Sequence, residues 1–257
     1  MVEKYCPKSF YQLDHWDPIL QQWHGRWCSP PSHLFPRSEK AFMDEIFVAA
    51  KGEINEVFTP HNGLFIALEI QEALDKGYIA IVPDIDLEPI EPWQPFNNAE
   101  FEKVKAWEDK SLKDYKIIVI DKQHEEVKVR PLEYALGKDI KRLIDLHNRK
   151  LIFITDFRPR ERYIWWTFLN AILHTYWRGD LNARHVQHEL RKYTRYWGRG
   201  GKYVKKSQLL GLVQELGPDV GSLLAEGLEK RDGERLAFEA VHALVEAAAV
   251  KSVKDVD

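Results

Sequence analysis

The sequence predicts an α+β fold, with a small mixed sheet and helices in the N-terminal half and a helical C-terminal half. Three observations carry that prediction. Short β-branched runs occur only between residues 78 and 155. Beyond Asp156 the apolar residues recur at helical spacing throughout. The helical and extended segments are also mixed in order, without the regular alternation of a doubly wound sheet. The same reading divides the chain into a Trp- and Pro-rich lead-in (1–37) packed on the body, an α/β part (38–157) and a helical part (158–257), which together can form one continuous domain.

In the lead-in, Pro18 after Asp17 suits a first helical turn with Asp17 as its cap. Ile19, Leu20, Trp23 and Trp27 then fall on one face, so a short strap-like helix is expected. From Ser38, apolar residues at helical spacing (Phe42, Ile46, Phe47, Ala50, Ile54, Phe58) predict a helix that Pro60 stops. Asn62-Gly63 reads as a turn, and Leu64 to Asp75 as a second helix ended by Gly77. Tyr78 to Val82 is a short buried strand closed by Pro83. Prolines 89, 92 and 95 make residues 84–96 a loop.

Asn98 is a cap for a helix reaching to about Lys113. Lys116 to Asp121 is a second strand, and Glu125 to Arg130 alternates like a third, joined to it as a hairpin. A helix from Leu132 to His147 and a strand from Lys150 to Thr155 complete the α/β part. Helices follow from Pro159 to Trp177, with Asp156 or Thr155 near the cap, and from Asn182 to Trp197. Further helices cover Lys206 to Leu216, Asp219 to Lys230 and Glu234 to Val250.

Composition narrows the function classes. Forty-four per cent hydrophobic and 30% charged residues are ordinary for a globular chain of 257 residues. The apolar run Val241 to Val250 is too short and too charge-flanked to span a bilayer, and Cys6, Pro7, Asp14, Asp17 and Pro18 interrupt any signal-peptide pattern. No membrane partner is expected, and the location expected is intracellular, nuclear or cytoplasmic. Two cysteines do not make a disulfide framework.

The net charge of −3 hides a strong asymmetry. Residues 141–206 hold sixteen basic and five acidic side chains, a net of +11, so the remaining 191 residues carry −14. Arg outnumbers Lys there by ten to six, and Arg makes the planar, bidentate contacts that phosphate accepts. Tyr163, Trp165, Trp166, Tyr176, Trp177, Tyr193, Tyr196, Trp197 and Tyr203 are interleaved with these cations. Phosphates need cations and unpaired bases need flat partners, so the segment predicts nucleic-acid binding.

The predicted anion-binding residues are Arg158, Arg160 and Arg162 at a helix start, Arg184, His188, Arg191, Arg195 and Trp197 on a second helix, and Arg199 and Lys202 in the glycine-rich loop beyond it. That loop is not a Walker motif, because it follows a helix and Lys202 precedes Tyr203. The chain thus reads as a non-enzymatic binding or scaffold module for single-stranded or structured RNA or DNA. An adaptor for an acidic protein surface would use the same cations. A metal-dependent nuclease would need carboxylates and a lysine, for which Asp84, Glu126 and Lys128 are the candidates. Cys6, His15, His24, Cys28 and His33 lack the spacing of a zinc knuckle. No metal site and no cofactor are predicted.

Overall fold

The computed structural model describes residues 1–7, 14–38, 56–88, 97–135, 139–180 and 183–197. Helices and small antiparallel sheets make up the described chain, in keeping with an α+β class. Among the described residues the single mixed sheet is corrected to three separate antiparallel pairs. The expected helices at 206–250 lie outside the described residues, as do residues 39–55 of the Ser38 helix and 89–96 of the proline-rich loop. The chain forms two compact units, one of residues 1–40, 54–85 and 105–171, the other of 41–53, 86–104 and 172–257.

The first unit opens with a short helix, α1 (Val2–Tyr5), and a hairpin of β1 (Asp14–Asp17) and β2 (Gln22–Gly25). The predicted helix over Ile19–Trp27 is therefore wrong, and Asp17 shows why. Its Oδ1 accepts hydrogen bonds from the N–H groups of Ile19 (2.8 Å) and Leu20 (2.9 Å), which turns the chain, and Gln21 follows at φ 59°. Cross-strand pairing then sets His15 against His24 and Trp16 against Trp23. The two histidines are buried, while the indoles meet edge to face at 5.7 Å. The hairpin is tied down by Ala67 N–H to Asp17 Oδ2 (2.8 Å), Trp16 Nε1 to Ile152 O (2.6 Å) and Arg149 Nε to Ile19 O (3.0 Å).

A second pair joins β3 (Pro31–His33) to β4 (Gly63–Phe65) and leads into α2 (Leu68–Asp75). Asn62-Gly63 is not the expected turn. Asn62 is fully buried and its carboxamide accepts from Phe35 N–H (2.8 Å) and donates to the carbonyls of Phe35 (3.0 Å) and Val57 (3.1 Å). Gly63 is extended and begins β4, where a Cβ would lie 2.9 Å from the Met1 side chain and 3.1 Å from Ser32 O. Close approach, rather than a turn, requires glycine there. The helix predicted from Leu64 accordingly starts four residues later, and Gly77 closes it at φ 65°.

The core pair is β5 (Ile79–Pro83) and β6 (Tyr115–Val119), both close to the sequence expectation and buried along their whole length. Between them α3 runs Asn98–Glu108. Its capping box uses Asn97, one residue before the predicted cap: Asn97 Oδ1 accepts from Glu100 N–H (2.8 Å) and Glu100 Oε2 from Asn97 N–H (3.3 Å). The helix ends before Lys113, whose ammonium binds the carbonyls of Trp107, Glu108 and Lys110.

Three further expectations after β6 are corrected. Glu125–Val129 is a helix, α4, not a strand. Asp121 Oδ1 turns the chain by accepting from Gln123 (2.7 Å) and His124 (3.1 Å), and two glutamates in the first turn suit the helix dipole. Residues 132–147 do not form one helix. Leu132 N–H bonds Lys141 O (2.8 Å), and Asp145 Oδ2 accepts from Lys141 and Arg142 (2.9 Å each) to start a 3₁₀ turn at Leu143–Leu146. Residues 150–155 make no strand beyond one bridge from Lys150 to Lys116, although Leu151 N–H reaches Tyr115 O (2.8 Å).

Two long helices follow as predicted, α5 (Glu161–Trp177) and α6 (Arg184–Trp197). In the first unit Thr167 of α5 accepts from the N–H of Ile81 in β5 (3.0 Å), and Asn170 Nδ2 bonds the carbonyls of Leu74 and Asp75 at the end of α2. The unit boundary falls inside α5, between Ala171 and Ile172.

Candidate nucleic-acid interface

The sequence of α6 fixes what it can display. Val186, Leu190 and Tyr193 recur at 3–4 spacing, and all three are buried, as is Tyr196. A helix anchored on that face turns its other residues outward. Arg184 and His188 are exposed, and Arg191 and Lys192 are half-buried. Glu189 is buried, with its Oε1 3.7 Å from His188 Nδ1 and 3.5 Å from Lys192 Nζ. Arg195 and Trp197 fall in the last turns of the helix, and Arg199 and Lys202 lie outside the described residues.

The connection into α6 is built from Gly179, at φ 80°, after Arg178 N–H bonds His174 O (3.0 Å) and before Asp180 N–H bonds Thr175 O (3.1 Å). This is a left-handed helix stop, which glycine adopts without strain. Trp177, the last residue of α5, is 64% exposed beside it.

The arginines near the start of α5 behave differently. Arg158 is half-buried and donates to the carbonyls of Lys113 (3.2 Å), Thr155 and Phe157 (2.9 Å), with its guanidinium 4.2 Å from the Phe153 ring centre. It clamps loops. Arg162 lies 5.2 Å from the Tyr163 ring centre, and Arg160 is half-buried with its N–H on His61 O (3.0 Å). Asp156 is exposed and α5 begins five residues later, so it does not cap the helix.

The structure does not bring Asp84, Glu126 and Lys128 together. Asp84 follows β5 at the Pro83–Tyr115 end of the strand pair, with Lys150 Nζ at 2.7 Å and Lys116 Nζ at 3.9 Å. Glu126 and Lys128 sit on α4, which follows the opposite Ile79–Val119 end, about 15 Å away at the usual rise per strand residue. Among the described residues no group of three or more His, Cys, Asp or Glu side chains could hold a metal ion. Cys6 and Cys28 are free thiols, and His15 Nδ1 bonds Ser29 O (2.8 Å).

One feature escaped the sequence reading. A cavity of about 240 Å³ is lined by Met1, the β3 residues up to His33, Phe58 to Pro60, Asn62 and Gly63. Phe58 is its exposed wall, with the Arg37 guanidinium 5.1 Å from the ring centre and the His33 ring edge-on at 6.4 Å. Burial, and then the Arg37 charge, push the His33 pKa below its ordinary value. Its parts lie up to 62 positions apart in sequence, which no periodicity reports.

No helix among the described residues is long and apolar enough to cross a membrane. Compared with protein-family models, curated proteins and solved structures, the chain matches none.

Proposed function

We propose that this chain binds nucleic acid, in the nucleus or the cytoplasm, through the outward face of α6. The observation that carries the reading is the division of that helix: Val186, Leu190, Tyr193 and Tyr196 are buried, while Arg184 and His188 are exposed and Arg191 is half-buried beside them. Side chains held on a helix anchored in this way meet a phosphate backbone with little ordering left to do. Fluorescence anisotropy with labelled RNA and DNA tests it. Three phosphate contacts predict a loss of roughly 20- to 40-fold in affinity between 50 and 200 mM salt. Arg184→Ala/Arg191→Ala should weaken binding and flatten that slope. No binding to either probe at about 50 mM salt would overturn the reading and leave the same stripe to an acidic protein partner.

A second reading rests on the cavity at His33. The His33 imidazole lines that cavity and can serve as a base toward a water held there. This moves the hydrolytic alternative from Asp84, Glu126 and Lys128 to His33. Its test is cleavage of a labelled oligonucleotide by the full chain, with and without divalent ions, and its loss in His33→Ala.

A further inference from the structure

The interleaved aromatics of the basic segment are sorted by the fold. Of those between residues 160 and 197 whose side chains are described, Tyr163, Trp165, Trp166, Phe168, Tyr193 and Tyr196 are at most 7% exposed, and Trp177 is 64% exposed. Its described ring neighbour is His174, at 5.2 Å with the planes 85° apart, a perpendicular contact that covers at most one face of the indole. Gly179, two residues on, has no side chain, and a Cβ placed there would meet nothing within 4 Å.

The chain that follows Trp177 carries a charge complementary to a polyanion. From Trp177 to Trp197 the chain carries Arg178, Arg184, Arg191, Lys192 and Arg195 against Asp180 and Glu189. Trp177 ends α5 and Arg184 begins α6 seven residues later, across the short connection at Gly179. An aromatic followed so closely by a cation suits a strand whose phosphates touch the cations and whose bases are turned out to stack.

We propose that Trp177 stacks an unpaired base, so that the α6 surface is selective for single-stranded nucleic acid over duplex. The inference rests on the nucleic-acid reading and names its substrate class. In a duplex the base faces are covered by their neighbours, and a lone indole at a helix end has nothing to stack upon.

The test uses the full chain with a labelled 20-nucleotide single strand and a duplex of the same length at about 50 mM salt, conditions in which phosphate contacts are strong. Trp177→Ala should weaken single-strand binding by about tenfold and leave duplex binding and the salt slope unchanged, with Trp177→Phe retaining most of the affinity. Photocrosslinking of a strand carrying 5-iodouracil, followed by peptide mass spectrometry, should place the crosslink on Trp177. If Arg184→Ala/Arg191→Ala loses binding while Trp177→Ala does not, or if duplex binds as well as single strand, the stacking inference fails and the nucleic-acid reading stands. Failure of the wild-type chain to bind either probe overturns both.

Discussion

Arg158 and Arg184 belong to the same basic third of the sequence, yet the fold uses them in opposite ways. Arg158 is half-buried and donates to three backbone carbonyls, as Arg149 does to the carbonyls of Ile19 and Leu20. These guanidiniums replace missing backbone donors in irregular chain between the strands. Arg184 stands exposed on a helix whose other face supplies the anchoring. A charge count gives both regions equal weight as anion binders. The structure shows that a cation near irregular backbone is drawn into carbonyl contacts, and that a cation on a regular helix, where carbonyls are already bonded, is left to face outward.

The largest effect that would sharpen this contrast lies in the clamped region. Asp17→Ala leaves the N–H groups of Ile19, Leu20 and Ala67 without their buried acceptor, and a loss of about 3–5 kcal/mol in urea denaturation is expected. The same residue gives a pH signature. Burial pushes the Asp17 carboxyl up to about 6, against the hydrogen bonds that favour its charged form. The folded state therefore binds more protons than the unfolded chain between about pH 4 and 6, and stability from this group falls as pH rises through that window, by up to about 3 kcal/mol. Burial moves His24, His33 and His174 the other way, which makes acid destabilising below their unfolded pKa. Comparing the wild type with Asp17→Asn from pH 4 to 6 isolates the carboxylate, and identical pH profiles would refute its role.

Smaller effects separate clamp from display directly. Arg158→Ala should lower stability by about 2 kcal/mol with nucleic-acid affinity unchanged. Arg184→Ala should do the reverse, weakening binding about threefold to fivefold while stability stays within about 0.5 kcal/mol. If Arg158→Ala weakened binding at unchanged stability, the division between the two regions would collapse.

How far the sequence was readable follows the same line. Helices α5 and α6 and strands β5 and β6 were legible because each carries its own signal, a long apolar period or an unbroken buried run. The β1–β2 hairpin was not, since Ile19, Leu20, Trp23 and Trp27 mimic a helical face. Two of them in fact fill the turn, and Trp27 is 80% exposed. Glu125–Val129 is too short for alternation and helical period to differ. For the interface, the buried and outward faces of α6 were legible from spacing alone. The clamping of Arg158 was not, because its partners at Lys113 and Thr155 come from loops that only tertiary structure brings together. The His33 cavity was hidden for the same reason.

Thr167 carries one consequence beyond packing. Strand β5 is bonded to β6 along one edge, and on the other the N–H of Ile81 ends on the Thr167 hydroxyl rather than on a further strand. That hydroxyl is a stopper. A buried N–H in so apolar a strand has no water to turn to, and Thr167→Val, which keeps the shape and removes the oxygen, should leave the Ile81 N–H without an acceptor and cost about 1–3 kcal/mol in urea denaturation.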